Sequence, residues 1–173
     1  TMRCDPYLGM SKLKIPNDPT ENRLSVEFHY YNPSSYCFGD EGGYYYCGKA
    51  FADKGTKCPE GYERSMKTFF SQIRKEWWDN GLGVVIGEYG CSHHYTEADR
   101  ATQEENQKYY MKCLVGEARH MGFAAFVWDN NGFGNGSEKF GIFNRHNNMS
   151  VDAPFFLNGI KEGSKEEYVE DIG

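Results

Sequence analysis

Apolar residues along this chain fall into two rhythms. Three short runs, Ser25-Val26-Glu27-Phe28-His29-Tyr30-Tyr31, Val84-Val85-Ile86-Gly87-Glu88-Tyr89-Gly90 and Phe123-Ala124-Ala125-Phe126-Val127-Trp128-Asp129-Asn130, alternate or stay apolar throughout, which predicts strands, the first over about 24–31. Between them apolar positions recur at three- and four-residue steps. Phe69, Phe70, Ile73, Trp77 and Trp78 predict a helix between Ser65 and Asn80 that stops at Gly81; of the two tryptophans one should be core and one partly exposed, and neither is assigned to substrate. Tyr109, Tyr110, Cys113, Leu114 and Ala118 predict another over about 103–120, stopping before Gly122. A last helix is expected over about 151–162, starting near Asp152-Ala153-Pro154, with the charged tail from Lys161 to Gly173 solvated. Strands alternating with helices predict an α/β fold with a parallel sheet. Three such strands leave two unpaired edges and one uncovered sheet surface.

At 173 residues, with no interior Pro/Gly/Ser-rich stretch, the chain is expected to be one domain spanning 1–173. The net charge of −6 is spread along the chain, which argues against nucleic acid or an anionic membrane as partner and for a neutral ligand. Aromatic residues make up 16%, thirteen of them Tyr, as in proteins that stack on flat apolar faces such as sugar rings. Many of these tyrosines fall in residues 32–63, a long connection with Asn32-Pro33, Gly42-Gly43 and Lys57-Cys58-Pro59 that is a candidate binding rim, with Tyr36 as a substrate contact. No apolar signal segment or membrane-spanning run is read. Cysteines 4, 37, 47, 58, 91 and 113 form no CxxC pair, so zinc ribbons and thioredoxin-type motifs find no support; a disulfide among Cys37, Cys47 and Cys58 is possible in an exported protein. His93-His94-Tyr95 with Glu97 and Asp99 reads as a surface loop rather than a metal site. Gly132-Phe133-Gly134-Asn135-Gly136 reads as a flexible loop, not a phosphate cradle. The expectation is no metal and no cofactor.

Each predicted strand ends in groups that carry chemistry. Ionising Glu88 beside an apolar run costs several kcal/mol without partners, so it reads as a placed catalytic or binding group, against the alternative of a helix cap or salt bridge. His29 and Tyr31 share one side of their strand with Glu27, which needs a cation or hydrogen-bond donors of its own. Trp128, Asp129 and Asn130 close the third run. Three strands finishing this way describe an active face at the carboxyl ends of parallel strands.

Through Val26-Glu27-Phe28-His29-Tyr30-Tyr31-Asn32-Pro33, Val85-Ile86-Gly87-Glu88-Tyr89-Gly90, Trp128-Asp129-Asn130 and Gly141-Ile142-Phe143-Asn144-Arg145, in that order over about 24–162, the chain resembles the carboxyl-terminal part of glycoside hydrolase family 5. The branch it resembles holds endoglucanases, lichenases and xyloglucanases. The resemblance implies strands six to eight of a (β/α)8 barrel of TIM type. It implies a retaining endo-β-1,4-glucanase with Glu88 as nucleophile, His29 and Tyr31 hydrogen-bonding it, and Trp128 as stacking floor. Asp129 and Asn130 would reach sugar hydroxyls or order their loop. β-Glucan is the implied substrate, and a polymer outside the cell implies a secreted or periplasmic enzyme.

One part of the family's pattern has no counterpart in the chain: the acid/base, a Glu in an Asn-Glu pair on the fourth strand. General acid catalysis is worth about 10²–10⁴-fold, so help has to come from elsewhere. A complementing amino-terminal half could supply it, or a second copy in a homo-oligomer, or Asp129, Asp40 or Glu41 within the chain. Asp129 follows a neighbouring strand about 4.8 Å away, close to the ~5 Å separation of a retaining pair. Association is the favoured expectation. The alternative is a carbohydrate-binding remnant that holds glucan without cutting it.

Overall fold

In the computed structural model, which describes residues 12–39, 44–54 and 62–172, the three apolar runs form one parallel sheet. Its strands are β1 (Ser25–Tyr30), β2 (Gly83–Tyr89) and β3 (Ala124–Val127), in the order β1-β2-β3. The register pairs Val26 with Val84 and Phe28 with Ile86, then Val85 with Ala124 and Ile86 with Ala125. Strand alternation therefore sorts the side chains onto two faces. Val26, Phe28, Tyr30, Val84 and Ile86 are buried on the back face, while Ser25, Glu27, Ala124 and Phe126 are exposed on the front.

The helices cover only the back. Helix α1 (Ser34–Cys37) is a single turn; α2 (Tyr62–Glu76), α3 (Arg100–Met121) and α4 (Pro154–Gly163) follow, with 3₁₀ turns at Lys49–Lys54 and Trp78–Asn80. Met66, Phe69, Phe70 and Ile73 give α2 a buried stripe at helical spacing. Phe28 meets three rings edge-on, at 5.5 Å from Phe69, 5.9 Å from Phe70 and 6.3 Å from Phe123, so one aromatic knot joins β1, α2 and the entry to β3. Helix α2 ends four residues before the expected boundary because the Asn80 amide takes the Lys75 and Glu76 carbonyls. Gly122, at φ +82°, ends α3: its N–H bonds to Arg119 O and that of Phe123 to Ala118 O, the paired bonds of a Schellman stop. A small antiparallel pair, β4 (Phe143–Asn144) with β5 (Ser150–Val151), lies beyond the expected elements. Among the described residues no helix is long and apolar enough to cross a membrane.

Two expectations change. The tail is not simply solvated: Arg74, 2% exposed, donates to the carbonyls of Val169 and Glu170 and to the Tyr168 hydroxyl, and its guanidinium lies 4.9 Å from the Tyr168 ring centroid. His93 and His94 are buried rather than surface residues. His94 bonds through its two ring nitrogens to the carbonyls of Ser92 and Tyr44, and His93 packs 4.8 Å from the Phe155 ring with Nε2 3.2 Å from Glu104 Oε1. Cys37 and Cys47 form no disulfide with each other, Cys37 Sγ lying 3.0 Å from the Tyr110 hydroxyl, and Cys58 lies outside the described residues.

The two faces give a direct stability contrast. Phe28→Ala should cost about 3–5 kcal/mol, the range for emptying a buried ring site. Phe126→Ser, at a position 61% exposed, should stay within about 0.5 kcal/mol. Urea unfolding of the two variants checks both; a large loss at Phe126 would mean the front face is covered in solution. Burial lowers the His93 imidazole below its ordinary value, with Glu104 opposing. Below about pH 6.5 the unfolded chain then takes up a proton that the folded chain resists, so stability should fall as pH drops through that point. His93→Gln should flatten the fall in denaturation midpoint between about pH 6.5 and 5.5.

Candidate active site at the ends of the strands

Strict alternation would put Glu88 on the back face with Val84 and Ile86. A one-residue bulge in β2 prevents this: Phe28 pairs with Ile86, but His29 pairs with Glu88, and on the other side Ile86 and Tyr89 are three residues apart where Ala125 and Val127 are two. The extra residue resets the parity. Glu88 comes to the front beside His29, and Tyr89 returns to the back, 2% exposed, opposite Tyr30.

Two side chains approach Glu88 at one oxygen. The Tyr31 hydroxyl donates to Oε2 at 3.1 Å, and His29 Nδ1 lies 3.2 Å from the same atom. Oε1 has no hydrogen-bond partner among the described residues. Burial, and then the Glu88 charge, push the Tyr31 phenol well above its ordinary range, which keeps it a donor. Its ring is wedged between Phe38, 5.2 Å away, and Phe140, 6.0 Å away. A carboxylate fixed through one oxygen, with the other unbonded, can attack an electrophilic carbon or steady a positive charge beside it.

Trp128 stands next to this group. Its N–H donates to Tyr89 O at 2.8 Å, one residue past the Tyr89–Val127 pair, which puts the side chain on the front face, 40% exposed. Of the two roles expected for Asp129 and Asn130, the hydrogen bonds show the ordering of the loop that follows. Asp129 accepts from the Asn131 and Phe143 backbone N–H groups and from Arg145. Asn130 accepts from Gly132 and Phe140 N–H and donates to Glu138 O. These bonds occupy both side chains, so Asp129 is also a poor substitute acid. Asp40 and Glu41, the other internal candidates, lie outside the described residues.

Tyr36 requires a fuller correction. It is 0% exposed, and its hydroxyl donates at 2.7 Å to Asn106 Oδ1, a buried amide that also takes the Cys47 N–H and gives to Cys47 O. It is a core residue tying the loop to α3. Sequence reading also passed over Phe38 and Phe140, which flank Tyr31; short aromatic-rich loops give no periodic signal for which ring meets which. Among the described residues no group of three or more His, Cys, Asp or Glu side chains gathers to hold a metal ion.

Comparison with known proteins identifies the family. The pattern of the family described as "Cellulase (glycosyl hydrolase family 5)" matches residues 6–134. Endoglucanase B of Neocallimastix patriciarum is 26% identical over 158 residues, 90% of this chain and 28% of its own. Endoglucanase H of Acetivibrio thermocellus is 31% identical over 140 residues, covering 80% of this chain and 13% of its own length. Among solved structures, a family 5 xyloglucan-specific β-1,4-glucanase from a ruminal metagenomic library, in complex with XXLG, superposes with a TM-score of 0.74 at 27% identity, over 89% of this chain and 42% of that one. A broad-specificity endoglucanase from Bacteroides salanitronis superposes with a TM-score of 0.75 at 27% identity, over 88% and 39%. The chain thus spans less than half the length of these relatives. It belongs to the cellulase family, glycosyl hydrolase family 5, and its parallel sheet and backing helices are part of that family's (β/α)8 barrel.

Proposed function

We propose that the protein cleaves β-1,4-glucan chains internally with retention of configuration, Glu88 acting as nucleophile. The observation that carries this is the Glu88 carboxylate, turned to the front face by the bulge, held on Oε2 by Tyr31 and His29, and flanked by the exposed Trp128. Two relatives support the substrate class: one is a xyloglucan-specific β-1,4-glucanase and the other a broad-specificity endoglucanase. Glu88 attacks the anomeric carbon through its unbonded oxygen, the bond to the leaving oxygen breaks, and that oxygen takes a proton from an acid. Water then hydrolyses the glycosyl-enzyme. Trp128 offers its indole face to the sugar being cut. An enzyme with a polymeric substrate of this kind works outside the cell or in the periplasm.

The acid is proposed to come from whatever covers the front face, a complementing amino-terminal half or a second copy, since Asp129 is engaged by Asn131, Phe143 and Arg145. That engagement also favours a second reading, a module that holds glucan on Trp128 without cutting it.

Dinitrophenyl β-cellobioside separates the two, because dinitrophenolate leaves without needing a proton. Wild type should release dinitrophenolate and gain the mass of one cellobiosyl group on Glu88. Glu88→Gln should be slower by at least about a thousandfold, with binding of cellotetraose retained. Tyr31→Phe, which removes one hydrogen bond to a charged oxygen, should slow transfer about ten- to a hundredfold. Wild type that binds cellotetraose but transfers nothing would leave the glucan-holding reading in its place.

A further inference from the structure

Glu27 sits two residues before His29 on the front of β1, with Oε1 3.4 Å from His29 Nε2, while His29 Nδ1 is 3.2 Å from Glu88 Oε2. The imidazole is thus held between two carboxylates, and swinging it away from either one breaks both contacts. Gly87 makes the arrangement possible. A Cβ there would lie 2.6 Å from Glu27 Cδ and 2.9 Å from its Cγ, closer than carbon atoms approach. Its φ is not in the left-handed range, so the backbone does not call for glycine at this position; space does. The Glu27 carboxyl thus lies against the bulge residue, in the space that a side chain at position 87 would fill.

We propose that Glu27 is a positioning residue for the glycosyl-transfer step: it anchors His29 Nε2 so that Nδ1 stays on Glu88, and Gly87 clears its path. The proposal rests on Glu88 being the nucleophile. The charge and length of Glu27 matter because a shorter or uncharged side chain would let the ring turn and loosen one of the two holds on Glu88 Oε2.

The test uses the purified protein and single-turnover transfer from dinitrophenyl β-cellobioside, with Glu27→Ala, Glu27→Gln, Gly87→Ala and the Glu27→Ala/Gly87→Ala double variant. Glu27→Ala and Gly87→Ala should each slow the transfer step about ten- to a hundredfold, the scale of a misplaced reacting group, with half-saturating substrate concentration unchanged. The double variant should be no slower than Glu27→Ala, because both changes remove the same contact. Glu27→Gln should keep part of the rate, its amide still reaching the ring. Unchanged rates, or losses that simply multiply in the double variant, would overturn the proposal. A crystal structure of Glu27→Ala adds a readout independent of activity: the His29 ring should have left Glu88, and an unaltered His29–Glu88 contact would equally overturn it. If wild type transfers nothing to Glu88, the nucleophile assignment falls, and the position of His29 in the Glu27→Ala structure decides alone whether Glu27 holds the ring.

Discussion

A strand in a parallel sheet hands its side chains alternately to two faces, and in β2 the first of these, Val84 and Ile86, belong to the core. Continued without interruption, the alternation would drive the Glu88 carboxylate among Phe28, Phe70 and the helices, at a cost of several kcal/mol for an unpaired charge. The extra residue at Gly87 gives up local ladder pairing, where a hydrogen bond is worth about 1 kcal/mol net. The larger penalty decides the outcome. Everything at the site follows from that parity change: Glu88 meets His29 and Tyr31, Tyr89 goes back into the core, and Trp128 falls in line beside the carboxylate.

The loops around the site are held by polar side chains acting on nearby backbone. Asp129 and Asn130 bind the loop that returns to β4, Asn135 exchanges hydrogen bonds with Tyr95, and Ser92 joins the same turn through Gly136 O and Lys139 N–H. This network seats Phe140 against Tyr31. The Tyr31 phenol is therefore positioned by packing on one side and by its own hydrogen bond on the other, which is how a half-buried group acquires the rigidity of a core one.

Much of this was legible in the residues. Apolar alternation located the strands, three- and four-residue spacing located the helices, and Gly122 marked a helix end that the structure confirms in its bonding. The two runs that end in His29 with Tyr31 and in Glu88 placed chemistry at one end of the sheet, and the family resemblance implied that the three side chains meet. The bulge was not legible, since Gly-Glu at a strand end looks the same whether or not a residue is left over. Nor was the fate of Tyr36: tyrosine suits a ligand rim and a core equally, and the partner that decides, Asn106, lies seventy positions away. The charged tail misled in the same way, reading as solvated although it folds back on Arg74.

The back face of the sheet holds the aromatic knot around Phe28, while the front face holds the ionisable groups and the exposed rings. Thermal robustness and chemical specificity are thereby written on opposite sides of the same three strands. Mutational drift can vary the front face around Trp128 without spending the packing that keeps the strands together, and an engineer can harden the helical side without disturbing the cluster of Glu88, His29 and Tyr31. Such a partition leaves evolution free to explore substrates on a scaffold whose folding is already assured.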